Sequence, residues 1–190
     1  ASAGGVGTFS AVNADDYDAN GEIIRQIYHG KTRRDRHEEL VQYGIKGGIA
    51  QAKRAWEMSG GKGRIHANIL WEMGGAERVI EEVLKQAKGL IHGVTCGAGM
   101  PYRLAEITAK YGVYYYPIIS SARAFRALWK RAYSKFSEYL GAVVYEDPWL
   151  AGGHNGLSNS EDPRKPEDPY PRIVALRQVM NECGLHQTPI

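Results

Sequence analysis

The sequence predicts a parallel α/β fold of the barrel type, on three observations. Short β-branched runs alternate with segments whose apolar residues recur at helical spacing. Five such strands are legible, with the start of a sixth, and strand–helix alternation at this spacing implies parallel strands joined by right-handed crossovers. The predicted strand ends are repeatedly small or glycine-rich. A closed (β/α)8 barrel takes ~250 residues, so these 190 read as an incomplete TIM barrel, about strands 2–6, truncated at both ends within a single domain, 1–190.

Taken in order, Gly5–Ser10 reads as a strand. Gly21–Tyr28 places Ile23, Ile24, Ile27 and Tyr28 on one helical face, and a longer helix is expected from about His37 to Met58, weakened by Gly44, Gly47 and Gly48. Ser59–Gly63 stops it. Arg64–Leu70 is a strand, Ala76–Lys88 an amphipathic helix, Leu90–Thr95 a strand, Tyr102–Lys110 a short helix and Gly112–Ile119 a strand. Ser120 or Ser121 caps the next helix, where Phe125, Leu128, Trp129, Ala132, Tyr133 and Phe136 share a face. Gly141–Glu146 is a strand, and the stretch 147–170, with several prolines, is a loop. Pro171 suits the first turn of a helix that runs to Cys183 and stops at Gly184, and Thr188–Ile190 begins a further strand.

Composition narrows the function classes. A hydrophobic fraction of 43% with 24% charged residues is that of an ordinary globular domain, and a net charge of +3 does not suggest a nucleic-acid stripe. The densest basic cluster, Lys31 to Arg36, is interleaved with acids and reads as a solvated face. No stretch approaches the ~18 apolar residues of a membrane span. Cys96 and Cys183 belong to no metal or redox motif, so a reducing, cytoplasmic setting and no metal are expected.

In parallel α/β folds ligands bind at the carboxyl ends of the strands. The expected ends are Gly4–Thr8, Asn68, Cys96–Gly99, Ser120–Ser121 and Ala151–Gly156. Small residues there leave a flat space for a planar ring approached by backbone, and Asn68 offers an amide to its edge. His154, set between glycines, is the candidate acid or base.

Three segments carry a family resemblance: Thr95–Pro101 (TCGAGMP), Pro117–Ala124 (PIISSARA) and Glu146–Gly156 (EDPWLAGGHNG). In order and spacing the chain resembles the nitronate monooxygenase family, formerly 2-nitropropane dioxygenase. The resemblance implies an FMN-dependent TIM barrel that oxidises alkyl nitronates or nitroalkanes with O2. It makes His154 the catalytic residue and places Asn68, Gly97, Ala98, Gly99, Gly152 and Gly153 around the flavin, with Ser120 added from its strand end.

Asp147 stands where the family usually has glycine, and Trp149 is bulky for that loop, so the substrate pocket is expected to differ. The family's FMN phosphate loops follow strands seven and eight, so weak FMN binding or none is expected of these residues alone. The Ala-Gly-Gly-His pattern at 151–154 is shared with flavin-dependent enoyl-ACP reductases and NAD(P)H:quinone reductases. A barrel remnant that binds without turnover is the reading from another class, and no nucleic-acid or membrane partner is expected.

Overall fold

In the computed structural model, which describes residues 1–152, 157–158 and 161–190, the core is a curled half-barrel sheet of five parallel strands. They are β1 (Val6–Ser10), β4 (Arg64–Leu70), β5 (Gly93–Gly97), β6 (Tyr114–Ile119) and β7 (Val144–Tyr145). Two further strands, β2 (Asp16–Tyr17) and β3 (Ile23–Ile24), form a separate antiparallel hairpin. The five strands follow one another across the sheet in sequence order. That order separates a barrel from a doubly wound sheet, in which strand order reverses at a switch point.

The helices are α1 (Arg33–Met58), α2 (Ala76–Gln86), α3 (Leu104–Lys110), α4 (Ala122–Arg131) and α5 (Pro169–Glu182). Alternation along each strand sends one set of side chains to the helices. Ala67, Ile69 and Val94 meet Val79, Ile80, Val83 and Leu84 of α2, leaving a void of only about 10 Å³. Burying each such aliphatic side chain contributes roughly 1.5–3 kcal/mol, which makes this seam the main support of the sheet. The opposite set, including His66, Asn68, Thr95, Tyr116 and Ile118, faces the inner side.

Several expectations need correction. Gly21–Tyr28 is not helical: Asp18 Oδ1 accepts from the backbone N–H of Asn20 and Glu22, and Gly21 turns at φ +81°, closing a hairpin instead. Its isoleucines are exposed rather than buried. Helix α1 begins four residues earlier than expected, because Thr32 and Asp35 form a reciprocal capping box. Its glycines do not weaken it into a break; they permit close packing, Gly47 against the Ala14 carbonyl and Gly48 against Val83.

Helix α4 stops at Arg131, where Ala132 leaves helical geometry (φ −147°, ψ −51°). A 3-10 stretch, Tyr133–Tyr139, follows and turns Tyr133 inward, its hydroxyl donating to the Pro101 carbonyl at 2.9 Å. The strand predicted over Gly141–Glu146 shortens to Val144–Tyr145. Helix α5 starts at Pro169, since Asp168 Oδ1 accepts from the Tyr170 N–H at 3.0 Å. Thr188–Ile190 forms no strand, although the Pro189 carbonyl accepts from the Val143 N–H at 3.0 Å. Among the described residues no helix is long and apolar enough to cross a membrane.

Candidate functional site

Register lines up the inner face in rows. Thr8, His66, Gly93 and Tyr114 form one row, and Ser10, Asn68, Thr95 and Tyr116 the next toward the carboxyl end. Gly93 carries no side chain, and a Cβ there would lie 2.6 Å from both His66 Nε2 and Tyr116 Cε2. The two rings meet in that space, with centroids 4.5 Å apart. Gly141 gives way similarly to the Tyr116 ring on its far side. Burial is the main cause that lowers the His66 pKa below its ordinary value, with His92 and Arg64 adding repulsion. A neutral aromatic floor results.

Asn68 sits one row above His66, in the row of Tyr116. Among the described residues its Oδ1 is buried without a hydrogen-bond partner. A buried acceptor left unmade costs about 1–3 kcal/mol, so its presence calls for a ligand or a water. Two residues further along, where Gly97 lies opposite Leu70, the chain turns through Gly97, Ala98 and Gly99. Ala98 and Gly99 both have positive φ, +55° and +113°, a conformation an ordinary side chain strains to hold. The turn is pinned to the extension of β4: Trp71 N–H donates to the Gly97 carbonyl at 2.7 Å and Glu72 N–H to that of Ala98 at 3.0 Å. A side chain at Gly97 would strike Ile118, and one at Gly99 would strike Glu72.

Ser120 follows directly on β6, at the same sheet end. It opens with Met100, Ser121, Arg123, Glu161 and Arg172 onto a cleft of about 440 Å³. Ser121, not Ser120, caps α4, accepting from the Ala124 N–H at 3.2 Å. The structure thus brings Asn68, Gly97, Ala98, Gly99 and Ser120 to one end of neighbouring strands. Gly4, Gly5 and Gly7, expected there as well, precede or open β1 and so lie at its amino end; the carboxyl end is Ser10–Ala11. That error came from reading the glycine run as the end of a strand rather than its entry.

Beyond β7, Asp147 builds the approach to the glycine segment. Its Oδ1 accepts from the N–H of Trp149 at 2.8 Å and of Leu150 at 3.2 Å, and its carbonyl accepts from Ala151. Arg172, in the first turn of α5, stacks its guanidinium 4.6 Å from the Trp149 ring centre and pairs with Glu161 and Glu167. Trp149 Nε1 donates to the Asp162 carbonyl at 3.0 Å. Sequence reasoning missed this clamp, because nothing in the spacing of Trp149 and Arg172 signals their contact. Gly152 is exposed with open space around its Cα. Gly153 and His154 lie outside the described residues.

Cys96 is fully buried on the helix side of β5, and burial pushes its thiol up to about 12, which removes it as a nucleophile.

No family model and no curated protein matches the chain. Solved structures are similar to part of it. FabK from Thermotoga maritima aligns at 16% identity and a TM-score of 0.49, over 70% of this chain and 36% of that one. A mutant of that FabK aligns at 20% identity and a TM-score of 0.44, over 58% and 34%. The chain spans about a third of the length of these structures.

Proposed function

We propose that the chain provides the ring-facing side of a flavin site, FMN by the family resemblance, in a TIM-barrel oxidoreductase acting on nitronates or nitroalkanes with O2. The observation that carries this reading is the buried Asn68 Oδ1, without a partner among the described residues, at the same sheet end as the left-handed Ala98–Gly99 turn. An imide N–H on the edge of a planar ring is a donor of the kind this acceptor lacks. The left-handed Ala98–Gly99 turn puts backbone rather than a long side chain at this strand end.

When bound, flavin supplies the electron-accepting chemistry that side chains lack. The chain's own residues bind and orient. Asn68 accepts from the ring edge, the 97–99 backbone lies along it, and Ser120 offers a hydroxyl from the next strand. Gly152 and Gly153 lead to His154, which takes a proton from the acidic carbon of a nitroalkane or hydrogen-bonds its nitro oxygens. This role for His154 rests on the resemblance.

The Ala-Gly-Gly-His pattern at 151–154 equally suits a flavin-dependent enoyl or quinone reductase. Rapid flavin reduction by NADPH or NADH without a nitro compound selects that reading. FMN titration of the protein expressed from its complete reading frame, followed by flavin fluorescence, tests the shared claim. Saturable binding that weakens about tenfold in Asn68→Ala is expected, the loss of one buried hydrogen bond being worth about 1–2 kcal/mol. Equal binding by both proteins would remove Asn68 from the site.

A further inference from the structure

The loop after β4 brings a carboxylate to the sheet end that holds Asn68. Trp71 and Glu72 continue the ladder beyond Leu70, their N–H groups donating to the carbonyls of Gly97 and Ala98. The backbone of Glu72 is thereby fixed beside the left-handed Ala98–Gly99 turn, and its side chain lies against Gly99. A Cβ on Gly99 would come within 2.9 Å of Glu72 Cγ and 3.2 Å of Oε1. Gly99 has φ +113°, a conformation that favours glycine for its own sake. One glycine therefore serves both the turn and the seat of the carboxylate.

Among the described residues no hydrogen bond or ion pair engages the Glu72 carboxylate. Ile65–Ala76 and Gly93–Tyr102 contain no other Asp, Glu, Lys or Arg. Helix α1 meets the same loop through His37, which lies against Gly74, but Arg33, Arg34 and Arg36 of its opening turn form no ion pair there. Arg103, just beyond the β5 turn, is committed to Glu77 and Glu106. This strand end thus offers two acceptors, Asn68 Oδ1 and the Glu72 carboxylate, and the second carries a charge.

We propose that Glu72 is a specificity-determining residue of the site, favouring a neutral nitroalkane over an anionic nitronate. The inference rests on the flavin reading. A negative charge seated on the turn that lies along the ring repels an anion approaching that ring and leaves a neutral molecule almost unaffected. The same charge opposes the electrons that a flavin takes up on reduction. Both effects are differences between Glu72 and an uncharged side chain of its shape, so they hold whatever the other charges of the protein contribute.

The test uses protein expressed from its complete reading frame with FMN bound, as the unaltered chain, Glu72→Gln and Glu138→Gln. Glu138 lies in the 3-10 stretch that leads into β7, at the opposite sheet end, so its replacement makes the same change in net charge far from the turn. The measurements are kcat/KM for nitroethane and for preformed ethyl nitronate, and the reduction potential of the bound flavin by equilibration with a reference dye. In Glu72→Gln the nitronate-to-nitroalkane ratio of kcat/KM is expected to rise about three- to tenfold, the effect of one partly screened charge at close range. The potential should move to more positive values, and the rise in the ratio should shrink at high salt. Glu138→Gln should match the unaltered chain in both readouts.

An unchanged ratio in folded, FMN-bound Glu72→Gln would overturn the proposal, whatever the potential does. Equal changes in Glu138→Gln would overturn it too, since they would reduce the effect to net charge. A fall in nitroethane turnover of about 10²-fold or more with an unmoved potential would make Glu72 a base instead of a filter. Failure of all three proteins to bind FMN, seen in their absorption spectra before any assay, would refute the flavin reading and this inference with it.

Discussion

His66 and Tyr116 meet with ring centres 4.5 Å apart and planes tilted by 38° across the bare backbone of Gly93, joining β4 to β6 over the strand between them. The contact exists because β5 presents no side chain at that row. Gly93→Ala forces both rings aside and is expected to cost about 1–3 kcal/mol, the usual range for overpacking. Urea unfolding monitored by tyrosine fluorescence measures it; an unchanged midpoint would show that the rings move freely.

The same contact makes stability depend on pH. Burial lowers the His66 pKa in the folded state below its ordinary 6.5, so the unfolded chain binds the proton more readily. The contribution is complete above about 6.5 and declines as pH falls from there toward the folded pKa. His92 is shifted the same way, chiefly by burial, and adds to the slope. His66→Gln should flatten the dependence of unfolding free energy between pH 7 and 5 (roughly, about the unperturbed histidine value). An identical slope would exclude His66 as its source.

Two glycines of α1 should respond with opposite signs. A Cβ at Gly44 lies 3.9 Å from Val79 Cγ2, ordinary contact, so Gly44→Ala should stabilise by about 0.5–1 kcal/mol through helix propensity. A Cβ at Gly47 would lie 1.8 Å from the Ala14 carbonyl oxygen, and Gly47→Ala should destabilise by about 2 kcal/mol or more. Thermal melts of the pair check both; shifts in one direction would mean that α1 packs differently.

The clamp of Arg172 on Trp149 holds the loop after β7 to the first turn of α5. Arg172→Met removes the cation–π contact, worth about 0.5–2 kcal/mol, and frees Glu161 and Glu167. Trypsin should then cleave faster after Arg164. Unaltered cleavage would show that the loop is held by other contacts, such as Trp149 Nε1 to Asp162.

Replacing His154 with Asn bears on the assignment of a base. A general base contributes about 10²–10⁴-fold, so turnover of neutral nitroalkanes should fall by that order and turnover of preformed nitronates much less. Equal loss on both would leave only hydrogen bonding to the substrate.

Much of the architecture was legible because its signals are local. The strand Arg64–Leu70 matched residue for residue, since its alternation and the preceding glycines define both ends. The helix at 76 followed from the spacing of Val79, Ile80, Val83 and Leu84. Failures came where a turn or a distant contact outweighed periodicity. The Asp18 turn converted an apparently amphipathic Gly21–Tyr28 into a hairpin, and the glycines of α1 made sense only once Ala14 and Val83 were seen against them. The positions of Asn68 near the end of β4 and of Gly97–Gly99 at the end of β5 were readable from the strand pattern. The His66–Tyr116 floor was not, because it depends on register between strands far apart in sequence.

The most direct measurement is the visible absorption spectrum of the protein expressed from its complete reading frame, with any chromophore then released by denaturant. A yellow protein that frees FMN is the result expected of a flavin site built on Asn68 and the Gly97–Gly99 turn. A colourless protein that takes up no added FMN would contradict it.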